Sequence, residues 1–312
     1  PTPSRASCAI VVEDYLYYFG GGWRTNSDIP GGQFVSKYNC NTDTWEGISS
    51  THPSYDYGGR MYSGIVSVGS DIYIIGGQNP QTGAQAGAGK TRGANKYFDN
   101  ILKFNTLNNT YTTITFPLNN ADATYPTDTV EVATDSVWDG NTYDNGISLP
   151  MCGVVDDKIY IIGPNFPEYI FCYDPTAAGG AGSWVDPLAG WAPIGSGPPT
   201  KLSSPLAFGG DPLNPRRYGV TFVSNNTIHV LQTSASGTPN VTTKLFKLVD
   251  LGGSGAAFEL VNTIPMRHYL GSAFGVHGNA CYIAGRRQRN DGGTNDAEDY
   301  EAGKALYSIT VD

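Results

Sequence analysis

The sequence of 312 residues is poor in charge, in histidine and in long apolar runs. Charged residues make up 15% of it, histidine occurs four times, and the formal net charge is −9. A negative balance argues against nucleic acid as the main partner, because phosphate neutralisation requires a basic surface. The apolar runs reach about five residues, whereas a helix that crosses a membrane needs about 20. The sequence therefore predicts no nucleic-acid partner and no membrane span.

Motifs of common catalytic and metal sites are also missing. The four histidines, His52, His229, His268 and His277, are far apart in the chain. No HExxH, CxxC or GxSxG pattern is present. The N-terminus lacks the charged and apolar regions of a signal peptide, as a mature, processed chain would. These absences predict no catalytic residue, no bound metal and no cofactor, and they favour a binding role over an enzymatic one.

Turn-forming residues and tyrosine are abundant. The chain contains 40 Gly, 20 Pro and 20 Tyr, which is typical of a turn-rich β protein. Residues 60–115 show the underlying pattern in full. Two apolar runs separated by a short polar turn, the second ending in Gly76 and Gly77, predict a β-hairpin. After a loop, alternation around Phe104 and a second apolar stretch from Tyr111 predict two further strands.

This four-stranded pattern recurs along the chain. The predicted copies cover residues 4–48, 60–115, 150–187, 216–262 and 267–311. A single copy cannot bury its two faces alone, so the copies are expected to stack in a ring. The sequence therefore predicts an all-β protein, a β-propeller of five four-stranded blades that forms one domain over residues 1–312.

The repeats resemble those of the Kelch family. The shared signature is an apolar hairpin ending in Gly-Gly, then Tyr or Phe, then Trp or another aromatic seven to twelve residues later, as in Tyr38 and Trp45. The resemblance covers nearly the whole chain and is strongest in the first two copies. Kelch propellers usually have six or seven blades, so five blades depart from the family pattern. The resemblance implies a Kelch-like propeller.

The fifth copy ends after three predicted strands, which leaves two interpretations open. Its blade is three-stranded, or the natural chain continues beyond Asp312. Residues 1–4 contain two prolines, which pair poorly in a sheet. They are therefore not expected to complete the blade.

Loop lengths predict which side of the blades carries function. In an up-and-down blade, the turns between strands one and two and between strands three and four lie at one edge, and the other connections lie at the opposite edge. The long insertions all belong to the second edge: residues 21–33, 78–98, 116–149, 188–215 and 286–303. Long loops on a rigid scaffold usually carry binding functions, although some are only decoration. We predict a recognition face at this edge.

Arginine placement points to the same edge. Four arginines stand at or just before a predicted first strand: Arg5, Arg60, Arg217 and Arg267. The neighbouring loops contain Arg24, Arg286, Arg287, Trp23 and Trp138. Guanidinium groups suit carboxylate, sulfate or phosphate, and tryptophan can stack on sugars. Similarly placed arginines hold acidic peptides in Kelch propellers, and the resemblance implies that role here. The open alternative is that each arginine bridges adjacent blades.

Three classes of function follow. A binding module for an anionic group, an acidic peptide or a glycan is the main prediction. The adjacent His268 and Tyr269 resemble the copper site of galactose-oxidase-type enzymes, but copper prefers more imidazole than this site offers. A sugar-modifying enzyme and a structural subunit that assembles with other chains are the remaining alternatives. The acidic loop 291–301 lacks the regular oxygen spacing of a calcium loop, so we interpret it as a solvated loop.

The cysteines do not form a simple disulfide framework. Five are present: Cys8, Cys40, Cys152, Cys172 and Cys281. First and third strands of a blade are not neighbours, which disfavours pairs within one blade. We therefore predict buried thiols.

Three N-x-Thr sequons begin at Asn108, Asn225 and Asn240. A chain so rich in asparagine would contain about three by chance. Together with the scarcity of lysine, they predict an extracellular or secreted glycoprotein.

Overall fold

A computed structural model describes the chain over 13 stretches. These are residues 8–19, 35–48, 60, 63–77, 100–117, 150–162, 169–194, 202–203, 219–233, 243–253, 255–264, 273–284 and 306–311. The chain divides into two compact units, unit 1 at Pro1–Pro150 and unit 2 at Met151–Asp312. The single domain over 1–312 stays a prediction.

Unit 1 contains two four-stranded sheets. The first consists of β1 (Cys8–Val12), β2 (Tyr15–Phe19), β3 (Val35–Asn39) and β4 (Thr44–Gly47). The second consists of β5 (Gly64–Val68), β6 (Asp71–Ile75), β7 (Asn100–Asn105) and β8 (Thr110–Thr115). We call these sheets blades 1 and 2.

Unit 2 contains three sheets, blades 3 to 5. Blade 3 consists of β9 (Met151–Val155), β10 (Lys158–Ile162), β11 (Phe171–Asp174), β12 (Ser183–Asp186) and β13 (Ala192–Pro193). Blade 4 consists of β14 (Gly219–Ser224), β15 (Thr227–Thr233), β16 (Thr243–Val249) and β17 (Ala257–Ile264). Blade 5 consists of β18 (Ala273–His277), β19 (Ala280–Ala284) and β20 (Leu306–Thr310).

Each blade is an antiparallel meander in which every strand pairs with the next one in the chain. The described residues contain no α-helix, only two short 3-10 turns at Ala178–Gly180 and Pro187–Ala189, and no helix among them could cross a membrane. The predicted fold class, an all-β protein of five propeller blades, is confirmed.

Two blades differ from the four-stranded pattern in the part of the chain that the structure describes. Blade 3 has a fifth strand, β13, in a segment that we predicted to be loop. A 3-10 turn capped by the Asp186 carboxylate, which accepts a hydrogen bond from the Leu188 N–H at 2.9 Å, reverses the chain and makes this pairing possible. Blade 5 has three described strands, as its sequence predicts.

The hydrophobic cores lie between neighbouring blades. Side chains alternate between the two faces of a strand, so each blade presents apolar residues to both sides. In unit 1, Tyr17 and Phe19 of blade 1 pack with Phe104 of blade 2. In unit 2, one core joins blades 3 and 4 and a second joins blades 4 and 5. Burial between blades, rather than within one, holds the sheets together.

The aromatic spacing found in the sequence corresponds to a cross-strand contact. Strands three and four of a blade place one aromatic ring against another at Tyr38–Trp45 (5.2 Å), Phe104–Tyr111 (4.9 Å) and Tyr173–Trp184 (5.2 Å). Such pairs stabilise antiparallel sheets beyond the area they bury. The turn between these strands begins with Asn39, Asn105 or Asp174, and the side-chain oxygen of that residue accepts hydrogen bonds from two backbone N–H groups of the turn. The repeat is therefore a local motif of one turn and one ring pair.

Candidate functional site

The two edges of each blade differ in the length of their connections. The first hairpins of all five described blades turn within two residues, at 13–14, 69–70, 156–157, 225–226 and 278–279. Residues with positive φ occupy these turns, for example Asp156 at 49° and Asn225 at 50°, as two-residue hairpins require. The connections between strands two and three, at the opposite edge, have at least eight residues in each described blade. We call this the long-connection edge.

Arg60 lies at the long-connection edge of blade 2 and is only 2% exposed. Its Nη1 donates to the carbonyl oxygens of Gly76 and Asn100, each at 3.1 Å, and its Nη2 donates to the Asn100 side-chain oxygen. The Ser63 hydroxyl donates to the same Gly76 oxygen at 3.1 Å. Arg60 thus links the segment before β5 to the C-terminal end of β6 and the N-terminal end of β7.

The double glycine of the sequence makes this arrangement possible. Gly76 and Gly77 have φ of 52° and 96°, in a region that side chains disfavour. The left-handed backbone follows directly after β6, and the Gly76 carbonyl bonds to the arginine and Ser63. The two Nη nitrogens of Arg60 therefore bond to Gly76 and Asn100 of its own blade. Its role in ligand binding stays a prediction.

The other predicted ligand residues lie outside the described residues. These are Arg5, Arg24, Arg217, Arg267, Arg286, Arg287, Trp23 and Trp138, together with the sequon residue Asn240. Asn108 and Asn225 are described, and both are exposed in hairpin turns.

Unit 2 holds a cluster that sequence reasoning missed. Tyr160 and Cys172 are cross-strand partners on β10 and β11, and the Tyr160 ring meets Trp191 edge-on at 5.9 Å. Lys158 Nζ lies 5.3 Å from the centre of the Trp191 ring and 3.9 Å from the Asp174 carboxylate. Tyr160 and Cys172 are buried, whereas Trp191 is half-buried.

Trp191 is held in place by an unusual backbone. Its φ of 68° is rare for a bulky side chain, and it follows Gly190, also left-handed at 69°. A Cβ on Gly252, in the β16–β17 turn of blade 4, would lie 2.8 Å from the Trp191 indole nitrogen. The indole therefore packs against the neighbouring blade, and the role it supports is structural.

The buried thiols of unit 2 are poor nucleophiles. Burial raises the pKa of Cys172 to about 12 and that of Cys281 to about 11, and burial also raises the pKa of Tyr160. All three stay protonated near neutral pH, and thiolate is the reactive form of cysteine. Of the five thiols that we predicted to be buried, Cys172 and Cys281 are buried, Cys8 and Cys152 are half-buried, and Cys40 is exposed.

Metal ligands do not converge within the described residues, which contain no group of three His, Cys, Asp or Glu side chains that could hold an ion. His229 of β15 is buried and stacks on Phe222, with ring centres 5.1 Å apart. Its Nδ1 lies 3.1 Å from the carbonyl oxygen of Thr227, so the neutral ring donates there. This arrangement suits a core histidine.

Protonating His229 is expected to destabilise unit 2. Burial lowers its pKa below the ordinary 6.5, nearby Lys247 acts in the same direction, and the bond to Thr227 opposes both. Between pH 6.5 and the lowered pKa of the folded chain, His229 is protonated in the unfolded chain and neutral in the folded chain. The free energy of unfolding should therefore fall as pH drops through this window, by at most about 1.4 kcal/mol per pH unit.

Urea denaturation between pH 7.5 and 5.0 measures this effect. His229→Phe should flatten the dependence in this window, whereas substitution of the exposed His277 should preserve it. An unchanged slope in His229→Phe would contradict the assignment.

Comparison with known proteins identifies the fold alone. No protein-family model matches the sequence, and no curated protein does. Among 198 solved chains that match, the structure of YjhT aligns with a TM-score of 0.59 at 15% sequence identity, over 99% of this chain and 82% of that one. Because one fold hosts many functions, this likeness does not identify a ligand or a reaction. The chain shares the fold of YjhT.

Proposed function

We propose that this chain is a Kelch-like, extracellular recognition module that binds an anionic group, on an acidic peptide or a glycan, at its long-connection edge. The observation that carries the proposal is the difference between the two edges of the blades. Two-residue turns close the first hairpins of all five described blades, while connections of eight residues or more, such as 76–99 and 234–242, join strands two and three at the other edge. Binding residues concentrate on long loops that a rigid scaffold positions.

The arginines divide into two groups when counted from the hairpin turn. Arg60 stands eight residues before Val68, the last residue of β5, and Arg216 stands eight before Ser224, the last residue of β14. Arg5 and Arg217 stand seven residues before the end of their first strands, and Arg267, ten residues before the end of β18, belongs to neither group. In an extended chain, positions seven and eight residues from a turn belong to opposite faces, and our proposal extends that rule to these arginines. We propose that Arg5 and Arg217 bind the ligand.

Adjacent residues give a matched test of this division. We expect Arg217→Ala to weaken binding by about 1 to 3 kcal/mol, the scale of a charge-assisted hydrogen bond, with little change in melting temperature. Arg216→Ala should lower the melting temperature, as loss of the Arg60 bonds would, and leave the affinity unchanged. Glycan arrays and acidic peptide libraries supply the ligand. Calorimetry on both variants then measures affinity and stability.

Added salt and a lysine variant refine the test. Binding should weaken as salt rises, because the contact is ionic, and Arg217→Lys should recover only part of the affinity because lysine lacks the planar fork. If Arg217→Ala melts early and binds as well as the unmodified chain, the recognition edge is excluded. Failure of every anionic ligand in both screens would exclude the ligand class.

A further inference from the structure

We infer that Asn108 and Asn225 carry N-linked glycans. This goes beyond the proposed recognition function, since it concerns the opposite edge of the blades. Asn108 lies in the β7–β8 turn and Asn225 in the β14–β15 turn, and both side chains are exposed. Each begins an Asn-Asn-Thr sequence, the acceptor pattern for this modification.

The hydrogen bonds around Asn108 leave its nitrogen available. Its Oδ1 accepts from the Thr110 backbone N–H at 3.1 Å and from the Thr110 hydroxyl at 2.6 Å. These bonds orient the amide through its oxygen alone. Among the described residues, Asn108 Nδ2 donates to no acceptor. A glycan on this nitrogen therefore breaks none of these contacts.

In blade 4, the neighbouring Asn225 and Asn226 differ in the hydrogen bonds of their side chains. Asn226 Nδ2 donates to the Asp156 carboxylate at 2.9 Å and so links the first turns of blades 4 and 3. The Asn225 side chain makes no hydrogen bond within the described part of the chain. The sequon begins at Asn225 and not at Asn226. The residue that would be modified is thus the one with no structural bond to lose.

Leu107 supplies a second, independent observation. It directly precedes Asn108 and is 79% exposed, more than the other large apolar side chains whose exposure is described. An apolar side chain so far out of the core leaves its surface in water at a cost of about 25 cal/mol per Å². This neighbouring apolar surface is available to the apolar face of an N-acetylglucosamine on Asn108.

The modification is a group transfer with a named donor class. A polyprenyl-pyrophosphate-linked oligosaccharide supplies the sugar in a secretory compartment. A bond forms between the asparagine Nδ2 and the anomeric carbon, the bond from that carbon to the pyrophosphate oxygen breaks, and the nitrogen loses one proton. No oxidant or reductant takes part.

Enzymatic glycan release in ¹⁸O-water tests the inference on the chain purified from its natural source. Each occupied asparagine becomes an ¹⁸O-labelled aspartate, which peptide mass spectrometry locates. We expect label at Asn108 and Asn225 and none at Asn109 or Asn226. Unlabelled asparagine at either expected position overturns the assignment of that position.

A secreting eukaryotic host allows a matched comparison with an added leader sequence. Asn108→Gln and Asn225→Gln should each remove one glycan, seen as a downward gel shift that glycan release abolishes. Asn109→Gln and Asn226→Gln leave the sequons at Asn108 and Asn225 intact and should retain the glycans at both positions. Equal mobility of Asn225→Gln and Asn226→Gln would overturn the inference for blade 4. The inference rests on the extracellular location in the proposed function but not on ligand binding, so missing glycans would leave the binding proposal untouched and failed binding would leave the glycan assignment untouched.

Discussion

Replacing Gly182 with alanine is expected to lower the stability of unit 2 by roughly 2 to 4 kcal/mol. Gly182 has a φ of 81°, and a Cβ there would overlap the Tyr173 hydroxyl and lie 2.5 Å from the Tyr173 Cζ. Tyr173 is buried and pairs with Trp184, so its ring can move only by giving up that contact. At about 2 to 4 °C per kcal/mol, the melting temperature should fall by about 5 to 15 °C.

Gly180 provides the control for this experiment. Its φ is 91°, and a Cβ at this position meets no atom within 4 Å. Gly180→Ala therefore has the backbone cost without the collision and should lose about 1 kcal/mol. Adding Tyr173→Phe should restore part of the loss in Gly182→Ala. Equal melting temperatures for the two alanine variants would show that the overlap with Tyr173 is not what destabilises the protein.

The second large effect is expected from Arg60→Met, which should destabilise unit 1 by roughly 2 to 4 kcal/mol. Methionine keeps much of the side-chain volume but donates no hydrogen bond. The Asn100 carbonyl, 3.1 Å from Nη1, then loses the arginine donor, and the bonds that join the segment before β5 to the ends of β6 and β7 disappear. Chemical denaturation measures the change.

Arg60→Lys is the graded comparison for this site. A single ammonium cannot reproduce the two-nitrogen contact with Gly76 and Asn100, so only part of the stability should return. Arg217→Ala is expected to show the reverse pattern, with weak binding and normal melting. A normal melting temperature in Arg60→Met, combined with lost affinity, would assign Arg60 to the ligand and contradict the structural role inferred from its contacts.

Much of the fold could be predicted because the information is local. The alternating strands, the two-residue turns and the aromatic pairs such as Tyr38 and Trp45 all depend on residues close together in the chain. Periodicity of two and the turn chemistry of Asn, Asp and Gly are readable directly. Five blades follow from five such repeats.

The site was less predictable because its key contacts are not encoded by residue type. That Arg60 serves its own blade depends on the Gly76 carbonyl, which a left-handed backbone places within reach of the guanidinium. The contact of Trp191 with Tyr160 depends on a positive φ at a bulky residue, which local propensity disfavours. Strand β13 was missed for the same reason, since the reversal before it combines a 3-10 turn with left-handed residues.

The position of the cores has a consequence for how such a chain can be shortened or duplicated. In unit 2, Tyr160 of blade 3 and Phe258 of blade 4 belong to one core, and Phe222 of blade 4 and Cys281 of blade 5 belong to another. A cut at a blade boundary keeps every hydrogen bond within the sheets. It exposes to water the apolar side chains that the two blades had buried against each other. The unit of stability is therefore the junction between two neighbouring sheets. A gene rearrangement that adds or removes one repeat must also produce a new junction whose apolar side chains pack together.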